Sequence, residues 1–425
     1  MPVPQARRNA VLHLLDGIFF FAALIMFSRE VIIPGMISEL SESAFLVGLV
    51  PSIVLLGVLL PQVFYAKAIE GLAFKKRRVL FWVVFQRIGW GVFLISLFIH
   101  WGPVFTLTVF FTMQAVSSFG SGFLIPLWTD WYAKTTPEHL WGRILGYRRA
   151  SPAVLGVGLG FLIDQVMDRF AAPARYQILC AGAIVFFVLS SICVALVHEE
   201  EDTGLPHQRD TSWREYLRGL GWILLRRRDF RRFMAASLLV CVPLTVIVAF
   251  LTRYGLTYPE VEDAVRGTFT KVLFVSSALG AFVGGILSDR RSAIAPFLVF
   301  PLFGASGAAL AALSPHPLVV SLAFALYGFA FGIRMVVMLP AVFRFAGPHR
   351  RPTYTAVSFT LLSLPAALLP PLAGLLLDAG VLTFPLVFLG CAVLSVAGWL
   401  LFVGMPAPEP PPISAPDQSG PREGT

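Results

Sequence analysis

Hydrophobic residues in this chain neither keep to one face of a helix nor alternate along a strand; they fill whole stretches between short polar clusters. Stretches near or above the roughly 18 to 20 residues that cross a ~30 Å hydrocarbon core recur along almost the whole sequence. The pattern predicts twelve spans, over 11–33, 44–65, 79–100, 104–125, 151–166 with its flanks, 176–197, 234–251, 268–287, 293–313, 317–343, 354–377 and 384–403. Each is predicted to be helical, because a lone segment in lipid satisfies its own backbone groups only as a helix. The first stretch follows Arg7 and Arg8 as a signal peptide would. Its length, the presence of Asp16 and the lack of a small-residue cleavage site predict a retained span instead.

One polar segment breaks the series near its middle. Residues 198–232 open acidic and close basic, which divides the chain into a six-span unit over 1–197, this linker, a second unit over 233–404 and a tail over 405–425. Within the linker, Trp213, Tyr216, Leu217, Leu220 and Leu224 share one helical side among Arg214, Arg218 and Arg226 to Arg228. That arrangement predicts an amphipathic helix lying in the membrane interface. The tail is rich in proline and polar residues and is expected to be disordered.

Composition agrees with the pattern. Only 13% of the 425 residues are charged and mean hydropathy is +0.77, where soluble domains carry roughly 25% charged residues. The net charge of +9 is no nucleic-acid signal. Assigning loops alternately to the two faces puts 25 of the 33 Lys and Arg on the face that holds both termini, and Arg29, Arg169, Arg175, Arg253 and Arg266 on the other. Such asymmetry predicts cytoplasmic termini in a multi-pass protein of the cytoplasmic (inner) membrane. Cys180, Cys193, Cys241 and Cys391 fall inside spans without metal-ligand spacing and read as small buried hydrophobes.

The two units also resemble each other. Gly160-Phe-Leu-Ile-Asp164 in the fifth span matches Gly374-Leu-Leu-Leu-Asp378 in the eleventh, and Leu56-Gly57 through Pro61 to Lys67 matches Leu279-Gly280 through Gly284 to Arg290. The offsets, about 214 and 223 residues, agree with the distance between the first and seventh spans, so the repeat is parallel, as in two-half transporters.

On these features the chain resembles the major facilitator superfamily over nearly all of 9–403. The most specific element is Gly285-Ile-Leu-Ser-Asp289-Arg290-Arg291, which resembles the family's Gly-x-x-x-Asp-Arg-x-Gly-Arg loop motif. Ser292 and Ala293 depart from it, and in the first half Ala66 stands at the acidic position. The resemblance implies an all-α polytopic membrane protein of about twelve helices, in two bundles around a cavity near the bilayer midplane. The first, fourth, seventh and tenth spans would line that cavity, and the second, fifth, eighth and eleventh would form the contact between halves. Gly156-x-x-x-Gly160 and Gly280-x-x-x-Gly284 put small residues on one face of such contact helices, and Pro365, Pro370 and Pro371 are expected to weaken the eleventh.

Ionisable groups inside spans are the first functional candidates, because each costs roughly 2.5 to 3.5 kcal/mol at mid-membrane and usually has a partner or a purpose. Arg334 in the tenth span either holds a carboxylate or phosphate substrate bidentately or pairs with a neighbouring helix. Arg87, in a span that the resemblance makes peripheral, is expected to pair with a neighbour such as Gln114. Asp16, one turn after His13, is a candidate for proton coupling or for pairing with an arginine. Gln114, Ser117 and Ser118 supply hydrogen-bonding groups to the fourth span for substrate contact or helix packing. Asp289, Arg290, Asp130, Arg148 and Arg149 are candidate gate charges at the cytoplasmic ends. Asp164 and Asp378, at matching outer ends, are candidates for symmetric outer contacts.

No zinc-type His-Glu-x-x-His, phosphate loop or nucleophile elbow occurs, so neither enzyme chemistry nor a cofactor is expected. The predicted function is secondary transport of a small organic solute by alternating access, possible proton coupling included, by a monomer whose partners are solute and lipid. A non-transporting receptor or scaffold, and a lipid or drug translocator, are the alternative classes.

Overall fold

The computed structural model describes residues 3–69, 74–99, 101–137, 140–200, 227–259, 263, 265–290, 294–345 and 351–406. The expected interfacial helix of the linker and the Pro-rich tail fall almost wholly outside the described residues.

All regular structure among the described residues is helical. The first half contains α1 (Val3–Met26), α2 (Ile32–Leu40), α3 (Ala44–Ile69), α4 (Lys76–Ser96), α5 (Pro103–Thr135), α6 (Trp141–Arg169) and α7 (Ala174–Leu196). The second contains α8 (Arg228–Gly255), α9 (Val265–Arg290), α10 (Phe300–Ala311), α11 (Pro317–Phe345), α12 (Arg351–Asp378) and α13 (Phe384–Phe402). Eleven of these helices are long and apolar enough to cross a membrane. The ninth crossing is shorter: a 3-10 turn, Ala295–Leu298, runs into α10, and both begin at prolines, Pro296 and Pro301, which lack the N–H a continuous helix would use.

The helix pairings establish the repeat. In the first half α1 packs on α6 and α7, α3 on α5, and α4 on α5 and α7. Shifted by one half, the same pairs recur: α8 on α12 and α13, α9 on α11, and α10 on α11 and α13. The halves meet through α3 against α12 and α6 against α9. The chain is therefore two like-oriented six-helix bundles. Outward surfaces stay apolar, as the exposed stripe Phe81, Val84, Ile88, Val92 and Ile95 on α4 shows, because lipid rather than water covers them.

Three features differ from the sequence expectation. The first span does not run unbroken to residue 33: α1 stops at Met26, residues 27–31 leave the helix, and α2 follows as a separate, almost fully buried helix. The fifth span starts ten residues earlier than expected, at Trp141, so Arg148 and Arg149 belong to a helix and not to a loop. Finally, α12 continues through Pro365, Pro370 and Pro371. Pro371 leaves the carbonyl of Ala367 without its helical donor. The Ser52 hydroxyl of α3 donates to that carbonyl from the other half, so the proline's defect becomes a contact between bundles.

Candidate functional site

Arg334 lies ten residues before Arg344 on α11, about 15 Å from that end of the helix at ~1.5 Å per residue. Its guanidinium carbon sits 5.2 Å from the centre of the Phe331 ring, and the group adjoins the Cys241 thiol of α8. Its Nε is buried without a hydrogen-bond partner. Among the described residues no carboxylate pairs with it.

A second pair of charges lies in the break between α1 and α2. Arg29 and Glu30 are half-buried there, and neither side chain makes an ion pair or hydrogen bond among the described residues. The break has backbone ties of its own. Ser28 Oγ accepts from the Ile32 N–H at 3.2 Å, and the Glu30 carbonyl accepts from Thr252 Oγ1 of α8 at 2.9 Å. Tyr327, buried on α11 seven residues from Arg334, is within electrostatic reach of both Arg334 and Glu30.

Other buried charges in the spans are paired. Asp16 faces the Arg148 guanidinium at 2.6 Å and Arg87 at 3.9 Å, and accepts a hydrogen bond from Ser190 Oγ at 2.5 Å. Arg148 also donates to the His13 carbonyl and lies over the Trp128 ring. Arg87 does not reach Gln114; it donates to the Phe187 carbonyl at 2.8 Å, to Ser190 at 2.9 Å and to Ser191. This cluster binds α1, α4, α6 and α7 into one unit. The fourth-span residues pack inside the first half as well. Gln114 donates to Ser118 at 3.1 Å and lines a shallow cleft between α4 and α5, while Ser118 packs on Gly57 of α3.

The two faces of the molecule differ in how the halves meet. On the face away from the termini, charges cross between them. Arg266 of α9 pairs with Glu39 of α2 and donates to the Tyr176 hydroxyl at 2.7 Å. Arg175 of α7 pairs with Asp263 and, at 2.7 Å, with Glu39, and Lys271 of α9 pairs with Asp164 of α6. Asp378 of α12 accepts from Ser43 Oγ and the Ala44 N–H, both at 2.6 Å, and from the Phe45 N–H at 3.0 Å, capping the start of α3 from the other half.

On the terminal face the described ion pairs stay within one half or the other, as Arg227 with Asp229 does in the second half. Lys75 meets Asp130 at 2.5 Å. Glu199, from the start of the linker, accepts from the N–H groups of Lys75 and Lys76 at the start of α4 and from Lys134 Nζ. The contact helices touch where Gly156 meets Phe274 and Gly160 meets Lys271 and Gly267, while a Cβ added at Gly146 or Gly285, nearer the terminal face, meets nothing within 4 Å, and Phe282 is 70% exposed. Arg290 is exposed at the end of α9; the side chains of Asp289 and Arg149 lie outside the description.

A family profile described as Major Facilitator Superfamily matches residues 17–370 and, in a second overlapping match, 267–423. The chain belongs to the Major Facilitator Superfamily. Its bundles superpose on other members at low identity. A mutant of the nucleoside transporter NupG gives a TM-score of 0.69 at 16% identity over 93% of this chain and 99% of that one. A D-xylose-proton symporter gives 0.68 at 14% over 95% and 98%. A bacterial homologue of the human lysosomal transporter Spinster, inward-facing and unoccupied, gives 0.64 at 14% over 95% and 96%. None of the curated proteins matches the sequence. The Arg29–Glu30 break is the part of this superfamily member that the sequence reading missed, having placed Arg29 in an outer loop. A signal was available: the run Val31-Ile-Ile-Pro-Gly-Met36 after the two charges is too apolar for a solvated loop.

Proposed function

We propose that the protein is a secondary transporter that carries a small organic anion across the cytoplasmic membrane by alternating access between its halves, 1–197 and 233–404. The excess of basic residues on the terminal face supports its assignment as cytoplasmic. In this reading the arrangement is the inward-open form, which the ion pairs and close helix packing joining the halves on the outer face support. Asp289, Arg290, Asp130, Arg148 and Arg149 stand on the face that would close in the opposite form.

One observation carries the reading. A guanidinium held in mid-membrane without a carboxylate among the described residues costs free energy that a bound carboxylate or phosphate offsets by bidentate pairing. Arg334 is that group, so an anion is the favoured cargo, and Gln114, Ser117 and Ser118, buried inside the first half, do not hold the charge. A nucleoside transporter and a D-xylose-proton symporter share the fold, which supports a polar solute of that size. Proton coupling falls in this reading to Asp16, whose protonation would free Arg148 from its ion pair.

The test is flux in proteoliposomes of solutes first selected by thermal shift, with and without a pH gradient. Arg334→Ala is expected to abolish flux while leaving expression and melting behaviour intact. Wild-type rates in that variant would remove Arg334 from the mechanism, and with it the anionic cargo. Asp16→Asn is expected to abolish the response to the pH gradient, and a retained response would take proton coupling away from that residue.

A further inference from the structure

Four charges on the face away from the termini form a closed ring of alternating sign. Glu39 pairs with Arg175 at 2.7 Å and with Arg266, while Asp263 pairs with Arg266 at 2.9 Å and with Arg175. Glu39 of α2 and Arg175 of α7 belong to the first half; Asp263, just before α9, and Arg266 of α9 belong to the second. The ring therefore alternates in a second sense, because two of its contacts lie within a half and two cross between halves. Every charge has one partner of each kind.

Local helix electrostatics do not account for these placements. Glu39 lies in the last turn of α2, and Arg175 and Arg266 lie in the first turns of α7 and α9, each at the helix end whose dipole disfavours its sign. Arg175 and Arg266 are also buried. Burial requires each guanidinium to have a partner, and the contact within its own half already supplies one. The crossing contact is a second, present only while the halves touch.

We propose that the ring is an exchange gate: when the halves part at this face, the two crossing contacts break while Glu39 with Arg175 and Asp263 with Arg266 persist, so each half opens with its charges already matched. The proposal rests on the reading that the carrier alternates between forms closed and open at this face. Tyr176 suits the exchange, since its hydroxyl donates to Glu39 at 2.5 Å and accepts from Arg266 at 2.7 Å; it remains with Glu39 when Arg266 leaves. Lys271 and Asp164 lack this arrangement. Their ion pair crosses between halves and neither has a second ion-pair partner among the described residues, so it favours the closed form without easing the open one. The parted ring also presents no free guanidinium at the outer mouth to compete with Arg334 for an anion. Of the crossing contacts, Arg266 with Glu39 should carry more of the closure, because the Asp263 side chain is 41% exposed against 23% for Glu39 and water screens it more.

The test reverses the polarity of one half at a time. Glu39→Arg with Arg175→Glu keeps the contact within the first half and turns both crossing contacts into like-charge pairs, and Asp263→Arg with Arg266→Asp does the same from the second half. The readout, on the full chain without its four native cysteines, is the rate at which an impermeant maleimide labels Ala367→Cys, buried between the halves beside Ser52. Either reversal should raise the rate by about tenfold or more, the size of one charge-assisted contact, and all four substitutions together should return it to near the parent rate. Glu39→Gln with Arg175→Gln adds no like charge, serves where a reversal does not fold, and should raise the rate by about threefold. An unchanged rate in the reversed or neutralised halves, or a fourfold variant that labels as fast as a single reversal, overturns the exchange gate. The alternating reading fails separately: Gly374→Ala, which sets a Cβ against the α3 backbone, should raise the rate whatever the ring does, and a parent rate there would mean that this face does not open.

Discussion

Gly374 offers a direct test of how the halves close. A Cβ built there would lie 2.5 Å from the Ala44 carbonyl oxygen, 2.6 Å from the Phe45 Cα and 2.7 Å from the Ala44 carbonyl carbon, all backbone atoms of α3. Ordinary contact begins near 3.4 Å, so Gly374→Ala forces α12 away from α3 by roughly 0.9 Å with no side chain able to yield. Overpacking of this kind costs about 1–3 kcal/mol. The cost falls only on the form closed at this face, whereas the gain in helix propensity, about 1 kcal/mol, applies to both forms and cancels. The conformational equilibrium should therefore move by roughly 5- to 150-fold toward the form open on this face. The assay is the labelling rate of a cysteine at Ala367, fully buried here against Ser52, in a chain without its four native cysteines, using an impermeant maleimide. Gly285→Ala, which meets nothing within 4 Å, is the control. Equal labelling rates in the two variants would refute the argument that this contact holds the gate shut.

Three further outcomes follow from the same contacts. Ser52→Ala should destabilise the closed contact by about 1–3 kcal/mol, the cost of an unsatisfied buried carbonyl. The loss should shrink in a Pro371→Ala background, where Ala367 regains its helical donor; equal losses in both backgrounds, read from the same labelling assay, would contradict the account. Asp16→Asn removes the carboxylate that two buried guanidiniums face and should cost roughly 3–5 kcal/mol. The loss should be partly recovered by adding Arg148→Gln, with melting in detergent as the readout and a wild-type melting point as the refuting result. Lys271→Met should raise labelling at Ala367 as Gly374→Ala does, since it releases Asp164 at the symmetric contact; no change would mean that the two contacts act independently.

The architecture was legible because lipid imposes it: a run such as 176–197 has one viable conformation in hydrocarbon, and the Gly160–Asp164 and Gly374–Asp378 pair announced the repeat. Boundaries were less legible. Arg148 and Arg149 looked like a loop because arginines rarely begin a buried helix, yet one of them is drawn inward by Asp16 on a different helix. Pairing partners were the least legible, since Arg87 with Ser190 and Arg266 with Glu39 join residues far apart in sequence. The break at 27–31 was missed for a related reason. An apolar run reads as one helix, and only the packing of α2 shows that its second part turns away.

Arg148 is buried and Arg334 half-buried, both within helices, and residue type does not separate them. What separates them is the source of the opposite charge. Asp16 supplies it for Arg148, which joins α1 to α6 inside one bundle for as long as Asp16 is charged. Nothing in the described chain supplies it for Arg334, so the stability of that position depends on something that comes and goes. A carrier needs both kinds: matched charges that let each bundle move as one body, and an unmatched set whose satisfaction by cargo changes the relative free energies of the two forms.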